Sequence, residues 1–335
     1  MASQRPQGEN IFETGHALII GTGTDVTGRY SPKYQSTIND AEWLAEVLKN
    51  PSLCAYPVRN VTLLLRENTT RQRIVEELEI IRKRISAMDG DERKHTVVVF
   101  FSGHGVSDGG KTYLLPFGFK YGDMLATHAI DGDLLYEKLR AIEADRVLLL
   151  LNSCYSGGVM PHLDTPAATP LTPRQMKKLL EGNGFAYLSA SQASQKAETG
   201  HLPRPFSKRY SPFTLGLARG FSGKDKEEND DFLKVSHLIE SCIAYVSSKT
   251  KDKQIPSFDY SGDNFVVGHY RAGASNGILL LGDDIEFDID VDNEESEDVF
   301  RNYPPAPTIH IQGDGNIYNR QGPTIGGNAN GANFG

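Results

Sequence analysis

RVLLLLNSCYSGG, residues 146–158, runs through an unbroken aliphatic stretch and turns within one step into a small, polar segment that carries Cys154. A run that short with no polar face fits a strand buried on both sides, as in a parallel sheet covered by helices. Five other stretches read the same way: HALII (16–20), NVTLLL (60–65), TVVVFF (96–101), FAYLSA (185–190) and NFVVG (264–268). Between them, STINDAEWLAEVLKN and TTRQRIVEELEIIRKRI repeat apolar residues at helical spacing, as do DGDLLYEKLRAI, SPFTLGLARGF and LKVSHLIESCIAYVSS. This alternation predicts an α/β fold, a mainly parallel six-stranded sheet flanked by helices. Ser36 and Thr69 open the first two helices as N-caps, and Trp43 lies on an apolar stripe that faces the core. TYLLPFGF is broken by Pro116 and Gly118 and reads as a short hairpin or lid.

The chain has 335 residues and a formal charge of −8, so no global basic field favours nucleic acid or an anionic membrane surface. The N-terminus lacks a charged-then-apolar leader pattern, and no apolar run approaches the roughly 20 residues needed to cross a bilayer. The expectation is a soluble, cytoplasmic protein with no nucleic-acid or membrane partner. Cys54, Cys154 and Cys242 lie far apart with no CxxC spacing, which argues against a disulfide framework and a structural zinc site. GTGTDVTGR suggests a phosphate loop but lacks the Gly-Lys-Ser/Thr ending that holds phosphate and magnesium, and that reading is rejected.

Composition divides the chain further. After an N-terminal extension, 1–13, residues 14–270 carry the α/β rhythm in a larger part to about 158 and a smaller part over 184–270. Residues 159–183 join them through four prolines and a short basic helix, a pattern expected of an exposed, mobile linker. Residues 271–303 are an acidic linker, and 304–335 form a Gly/Asn-rich tail too poor in large apolar groups to build its own core.

Two strands end unusually, TVVVFFSGHG in His104 between glycines and RVLLLLNSCYSGG in Cys154 among small residues. Ligands of parallel sheets bind outside the C-terminal strand ends, where both residues fall. A histidine there promotes thiolate formation and then protonates a leaving amine, while the thiolate attacks a carbonyl. The backbone amides of Gly105 and Cys154 are candidate oxyanion donors. Cys54 and Cys242, with no adjacent histidine, read as structural.

FFSGHG followed by LLNSCYSGG, with HALIIGTGTD and INDAEWLAEVL upstream and SPFTLGLARGF and IPSFDYSGDNFVVG downstream, resembles the caspase-like clan of cysteine peptidases, closest to metacaspases and their prokaryotic relatives. The resemblance covers about residues 14–270. It implies a caspase-hemoglobinase fold and an endopeptidase with Cys154 as nucleophile and His104 as general acid/base. Protein or peptide substrates, regulated proteolysis or programmed cell death, and a self-processed zymogen follow from the same resemblance.

The resemblance also bears on specificity. Metacaspases cut after Arg or Lys using acidic groups in the S1 pocket, one of them two residues before the cysteine. This chain has Asn152 there, and a neutral amide can hydrogen-bond a guanidinium without neutralising it. Basic specificity therefore needs another carboxylate. Asp25, in the loop after the first strand, is the candidate, and Ser102 matches a further pocket position of the family. With a basic P1, PRQMKK in the linker would be the self-cleavage site, at Arg174, Lys177 or Lys178. Chemistry requires no cofactor. Calcium, a trait of many metacaspases, has candidate ligands in Asp131 and Asp133, with Asp123 and Asp164 elsewhere, although paired aspartates on a turn equally serve as N-caps.

The tail admits two readings. It is a flexible segment, or a short amyloid-type signalling motif similar to the Gly/Asn-rich motifs that link immune-type receptors to cell-death effectors. The alternative to an active peptidase is a catalytically silent caspase-like adaptor that assembles with itself or a receptor through this tail. An ordinary flavodoxin-like binding module leaves the paired strand ends unexplained.

Overall fold

The computed structural model describes residues 12–25, 28–88, 94–108, 111–120, 124–153, 184–191, 200–201, 210–223, 232–269, 288–289, 309–312 and 316–319. The chain divides into two units, 1–294 and 295–335. In chain order the first holds β1 (Gly15–Gly21), α1 (Gln35–Lys49), β2 (Val61–Leu65), α2 (Arg71–Ser86), β3 (Thr96–Ser102), β4 (Gly105–Asp108), β5 (Lys111–Leu114), α3 (Leu125–His128), β6 (Ile130–Asp131) and α4 (Gly132–Ala141). It continues with β7 (Arg146–Asn152), β8 (Gly184–Ser189), β9 (Gly200–His201), α5 (Pro212–Ser222), β10 (Phe232–Lys234), α6 (Val235–Thr250), β11 (Ser257–Ser261), β12 (Val266–His269) and β13 (Asp288–Ile289). The second unit holds the antiparallel hairpin of β14 (Ile309–Gln312) and β15 (Asn316–Asn319).

The central sheet has six strands in the order β11-β8-β7-β3-β1-β2. All neighbours are parallel except β11, which runs antiparallel to β8 at one edge. The expected mainly parallel six-stranded sheet is therefore present, with one correction to its membership. NFVVG does form a strand, β12, but it pairs with β10 in a separate two-stranded sheet. The sixth position belongs to SFDYS. Its side chains alternate between half-buried and exposed, with Phe258 and Tyr260 outward, because an edge strand is covered less than the sheet centre. That pattern is not the unbroken apolar run by which the other strands were read. TYLLPFGF contributes β5, which pairs with β4 and β6 in a small sheet, and its Pro116 and Gly118 close the following turn.

Strand alternation divides the core into two layers. Ala17, Ile19, Val98, Phe100, Leu148 and Leu150 pack with α1, α5 and α6 on one face. Leu18, Ile20, Val97, Val99, Leu149 and Leu151 pack on the other with Ile74, Leu78 and Ile81 of α2 and Leu135 and Leu139 of α4. Trp43 is buried and meets Phe221 edge to face at 6.2 Å. Cys54 and Cys242 are both buried, their thiols directed at the carbonyls of Val267 and Phe213. Burial pushes the Cys54 thiol up to about 12 and the Cys242 thiol also well above its usual range, so both are inert at neutral pH.

Two expected caps shift by local geometry. Ser36 is buried inside α1, which follows a one-turn 3-10 segment, Pro32–Tyr34. The cap of α2 is Thr70, whose hydroxyl accepts from the Arg73 amide at 3.2 Å, while the Thr69 hydroxyl donates back to the Arg66 carbonyl at 2.6 Å. Asp131 caps α4 by accepting from the Leu134 amide at 2.7 Å.

The opposite end of the sheet from the strand mouths holds a pH-sensitive feature. His16 is buried, and neither ring nitrogen has a hydrogen-bond partner among the described residues. Burial, and then the charges of His95, Arg84 and Arg59, push it down to about 4. The unfolded chain takes up this proton near 6.5 and the folded protein only near 4, so stability is full above about 6.5 and falls as pH drops between those values. His16→Phe removes the titration without abandoning a hydrogen bond. Urea denaturation at pH 7 and pH 4.5 should show the wild type losing about 2 kcal/mol more than the variant over that interval. Equal losses would mean that His16 is not held neutral.

Candidate active site

The strand mouths are set by register. β3 and β7 are adjacent and parallel, and Ser102 pairs with Asn152, the residues two before His104 and two before Cys154. The ladder continues past the strand ends: the Gly103 amide donates to the Asn152 carbonyl at 3.1 Å, and the Thr22 amide donates to the Ser102 carbonyl at 3.0 Å. Gly103 is constrained by space. A Cβ there would lie 2.6 Å from the Thr22 hydroxyl oxygen and 3.0 Å from the Phe101 ring, so only glycine lets β3 turn outward this close to β1. His104 follows, half-buried, its carbonyl accepting from the Leu115 amide at 2.9 Å and its ring against that of Tyr34. Gly105 opens β4. On the other strand, the Ser153 carbonyl accepts from the Ser191 hydroxyl at 3.2 Å. Cys154, as nucleophile and as oxyanion donor, lies outside the described residues.

Ser102 and Asn152 are brought together around a carboxylate that the sequence reading did not select. Asp40 is fully buried on α1. Its Oδ2 accepts from the Asn152 amide at 2.9 Å and from the Ser102 hydroxyl at 3.2 Å, and its Oδ1 accepts from the Ser211 backbone amide at 3.1 Å. The Asn152 amide nitrogen also lies 2.9 Å from each of the Ser102 and Ser211 hydroxyls, so its two hydrogens are shared among three acceptors. Ser211 is the N-cap of α5, accepting from the Thr214 amide at 3.1 Å. One buried network thus joins α1, β3, β7 and the start of α5. Burial pushes the Asp40 carboxyl up to about 7, against hydrogen bonds from Ser211, Thr214 and Ser102 that favour the ionised form.

This geometry explains Asn152. A carboxylate at that position would face Asp40 at hydrogen-bond distance, two like charges in a buried site. The amide supplies donors where Asp40 needs them. Asp25 lies in the loop that follows β1. Its carboxylate accepts from the Arg29 amide at 3.1 Å and closes the 25–29 turn. A signal for Asp40 was available in INDAEWLAEVL: it stands three, four and seven residues before Trp43, Leu44 and Val47, a charge on the stripe that α1 buries.

Two of the calcium candidates have partners within the described residues. Asp131 caps α4, and Asp133 forms an ion pair with Lys111 at 2.8 Å. No group of three or more His, Cys, Asp or Glu placed to hold a metal occurs among the described residues. Asp123, Asp164, Arg174, Lys177 and Lys178 lie outside the described residues. No helix among the described residues is long and apolar enough to cross a membrane.

Comparison with known proteins follows the same lines. The sequence model of the family described as the caspase domain matches residues 14–264. Among solved structures, the crystal structure of the Drosophila initiator caspase Dronc is similar at a TM-score of 0.46 and 11% identity, over 76% of this chain and 82% of that one. No curated protein matches the chain significantly.

Proposed function

Because the chain belongs to the caspase-domain family of cysteine peptidases, we propose that it is an endopeptidase acting through a Cys154–His104 dyad and preferring Arg or Lys at P1. The observation that carries the dyad is the shared level at which β3 and β7 end, with Ser102 paired to Asn152. In the proposed reaction His104 takes the thiol proton, and the thiolate forms a bond to the scissile carbonyl carbon. His104 then passes that proton to the leaving amine as the C–N bond breaks. Water, deprotonated by the same histidine, releases the acyl group and restores the thiol. The Gly105 and Cys154 amides are the proposed donors to the oxyanion.

The preference for a basic P1 rests on Asp40. Its single carboxylate, held between Ser102 and Asn152, would balance a guanidinium or ammonium group. Ser211 now donates to that carboxylate and covers it, so a substrate cation would take the place of the Ser211 N–H. Self-cleavage at Arg174, Lys177 or Lys178, and a role in regulated proteolysis or cell death, belong to this reading. One observation favours the adaptor alternative: the tail forms the hairpin β14–β15, and a two-stranded hairpin presents two strand edges to a partner.

A fluorogenic peptide library varied at P1, assayed with and without calcium, tests both readings. The expected result is cleavage confined to Arg and Lys, with at least about 100-fold discrimination over neutral residues. Cleavage after Asp, or flat P1 tolerance, would remove Asp40 from specificity. No cleavage of any peptide under either condition would favour the adaptor.

A further inference from the structure

We propose that Tyr34 is a positioning residue for the reaction, its ring fixing the orientation of the His104 imidazole and so controlling proton exchange with the Cys154 thiol. The proposal rests on the cysteine-peptidase reading above. The Tyr34 and His104 rings meet with centroids 4.5 Å apart and planes at 78°, an edge-to-face contact. At that separation the phenol ring lies against the imidazole and favours one orientation about its Cβ–Cγ bond. His104 has glycine on both sides, and neither neighbour carries a side chain that could hold the ring. Another element supplies a restraint.

That element is the β1–α1 connection, and it is anchored to the same strand ends as the histidine. The Tyr34 amide donates to the Ser31 carbonyl at 3.0 Å, and the Ser31 amide donates to the Gly23 carbonyl at 2.9 Å. The Tyr34 carbonyl accepts from the Thr37 hydroxyl at 2.9 Å, whose oxygen accepts in turn from the Gly23 amide at 2.8 Å. Gly23 is next to Thr22, which donates to Ser102 on β3. Tyr34 and His104 are therefore tied to one pair of strand ends by short hydrogen-bonded paths.

The chemistry needs such a restraint. One ring nitrogen must face the sulfur when the S–H bond breaks and the N–H bond forms, then face the substrate nitrogen when the proton moves on. A free ring divides its time among orientations that do neither, and a displacement of about 1 Å can cost on the order of 100-fold in rate. A restraint of this kind acts on turnover and on the thiol, and not on substrate affinity.

The test compares Tyr34→Leu, Tyr34→Phe, Thr37→Val and His104→Ala in the full chain. Two readouts are used: steady-state cleavage of an Arg-P1 peptide, and the pH dependence of Cys154 alkylation by iodoacetamide, followed by mass spectrometry. The second readout needs no substrate, and the buried Cys54 and Cys242 stay out of it. Tyr34→Leu should lower kcat by about 10- to 100-fold, change KM by less than about threefold, and move the alkylation midpoint by at least about half a pH unit. Tyr34→Phe, which keeps the ring, should stay within about threefold of wild type. Thr37→Val removes one anchor, leaves Tyr34 in place, and should give a smaller loss of the same kind. This variant decides the matter if Tyr34→Leu does not fold.

Wild-type values for Tyr34→Leu in both readouts, with His104→Ala impaired in both, would overturn the positioning role and leave the dyad standing. A rise in KM alone, lost turnover with an unmoved alkylation midpoint, or equal damage from Tyr34→Phe would also overturn it. His104→Ala with wild-type cleavage and alkylation would remove the dyad reading itself, and the proposal with it.

Discussion

Cys154→Ala is expected to reduce peptide cleavage to the uncatalysed background, a loss on the order of 1,000-fold or more in kcat/KM, and to abolish any self-processing. The size follows from the role. Without the sulfur no covalent intermediate forms, and the binding groups and oxyanion donors that remain cannot supply a nucleophile. Neither remaining cysteine can substitute. Cys54 and Cys242 are buried in the layer formed with α1, α5 and α6, and their thiols are held protonated by desolvation. His104→Ala should fall nearly as far, and the double variant no further, since two residues acting as a unit do not contribute additively. Retained cleavage in Cys154→Ala, measured on purified protein with the same Arg-P1 peptide, would end the assignment.

Asp40→Asn is expected to lower kcat/KM for Arg and Lys substrates by on the order of 100- to 1,000-fold, with much smaller change for neutral ones. Removing one partner of a buried charge pair costs roughly 2–5 kcal/mol, because the other charge is left without compensation. The pH dependence has a definite sign. Asp40 carries its charge only above about 7 in the free protein, so kcat/KM for a basic P1 should rise with pH through that value and level off above it. Asp40→Asn should flatten that component of the profile. An amide at position 40 can still accept from Ser211 through its carbonyl, while its NH2 would face the Asn152 amide donor, so thermal stability is measured beside activity and P1 selectivity is the deciding readout. A profile for Asp40→Asn identical to wild type, with unchanged P1 selectivity, would place the specificity charge elsewhere.

The legibility of this chain varied with how local the physics was. Five strands of the central sheet could be read because each is an apolar run too short for a helix, and the helices because their apolar residues recur at one period. β11 escaped because an edge strand does not need two apolar faces, and NFVVG misled because a short apolar run does not say which sheet it joins. The N-cap of α2 moved by one residue, from Thr69 to Thr70, since both are threonines and the choice depends on backbone angles at the helix start. His104 and Cys154 stood out because glycine and other small residues surround them at strand ends.

By itself the sequence determined the α/β architecture, the family resemblance and the pair of strand-end motifs, all of which depend on patterns within some ten residues of chain. Only the tertiary structure decided what Asn152 faces, the carboxylate of Asp40. Asp40, Asn152 and Ser211 lie 112 and 59 residues apart along the chain and meet through hydrogen bonds of about 3 Å. Burial at that meeting point changes the charge state of Asp40, and no local pattern encodes the environment that three distant segments create together.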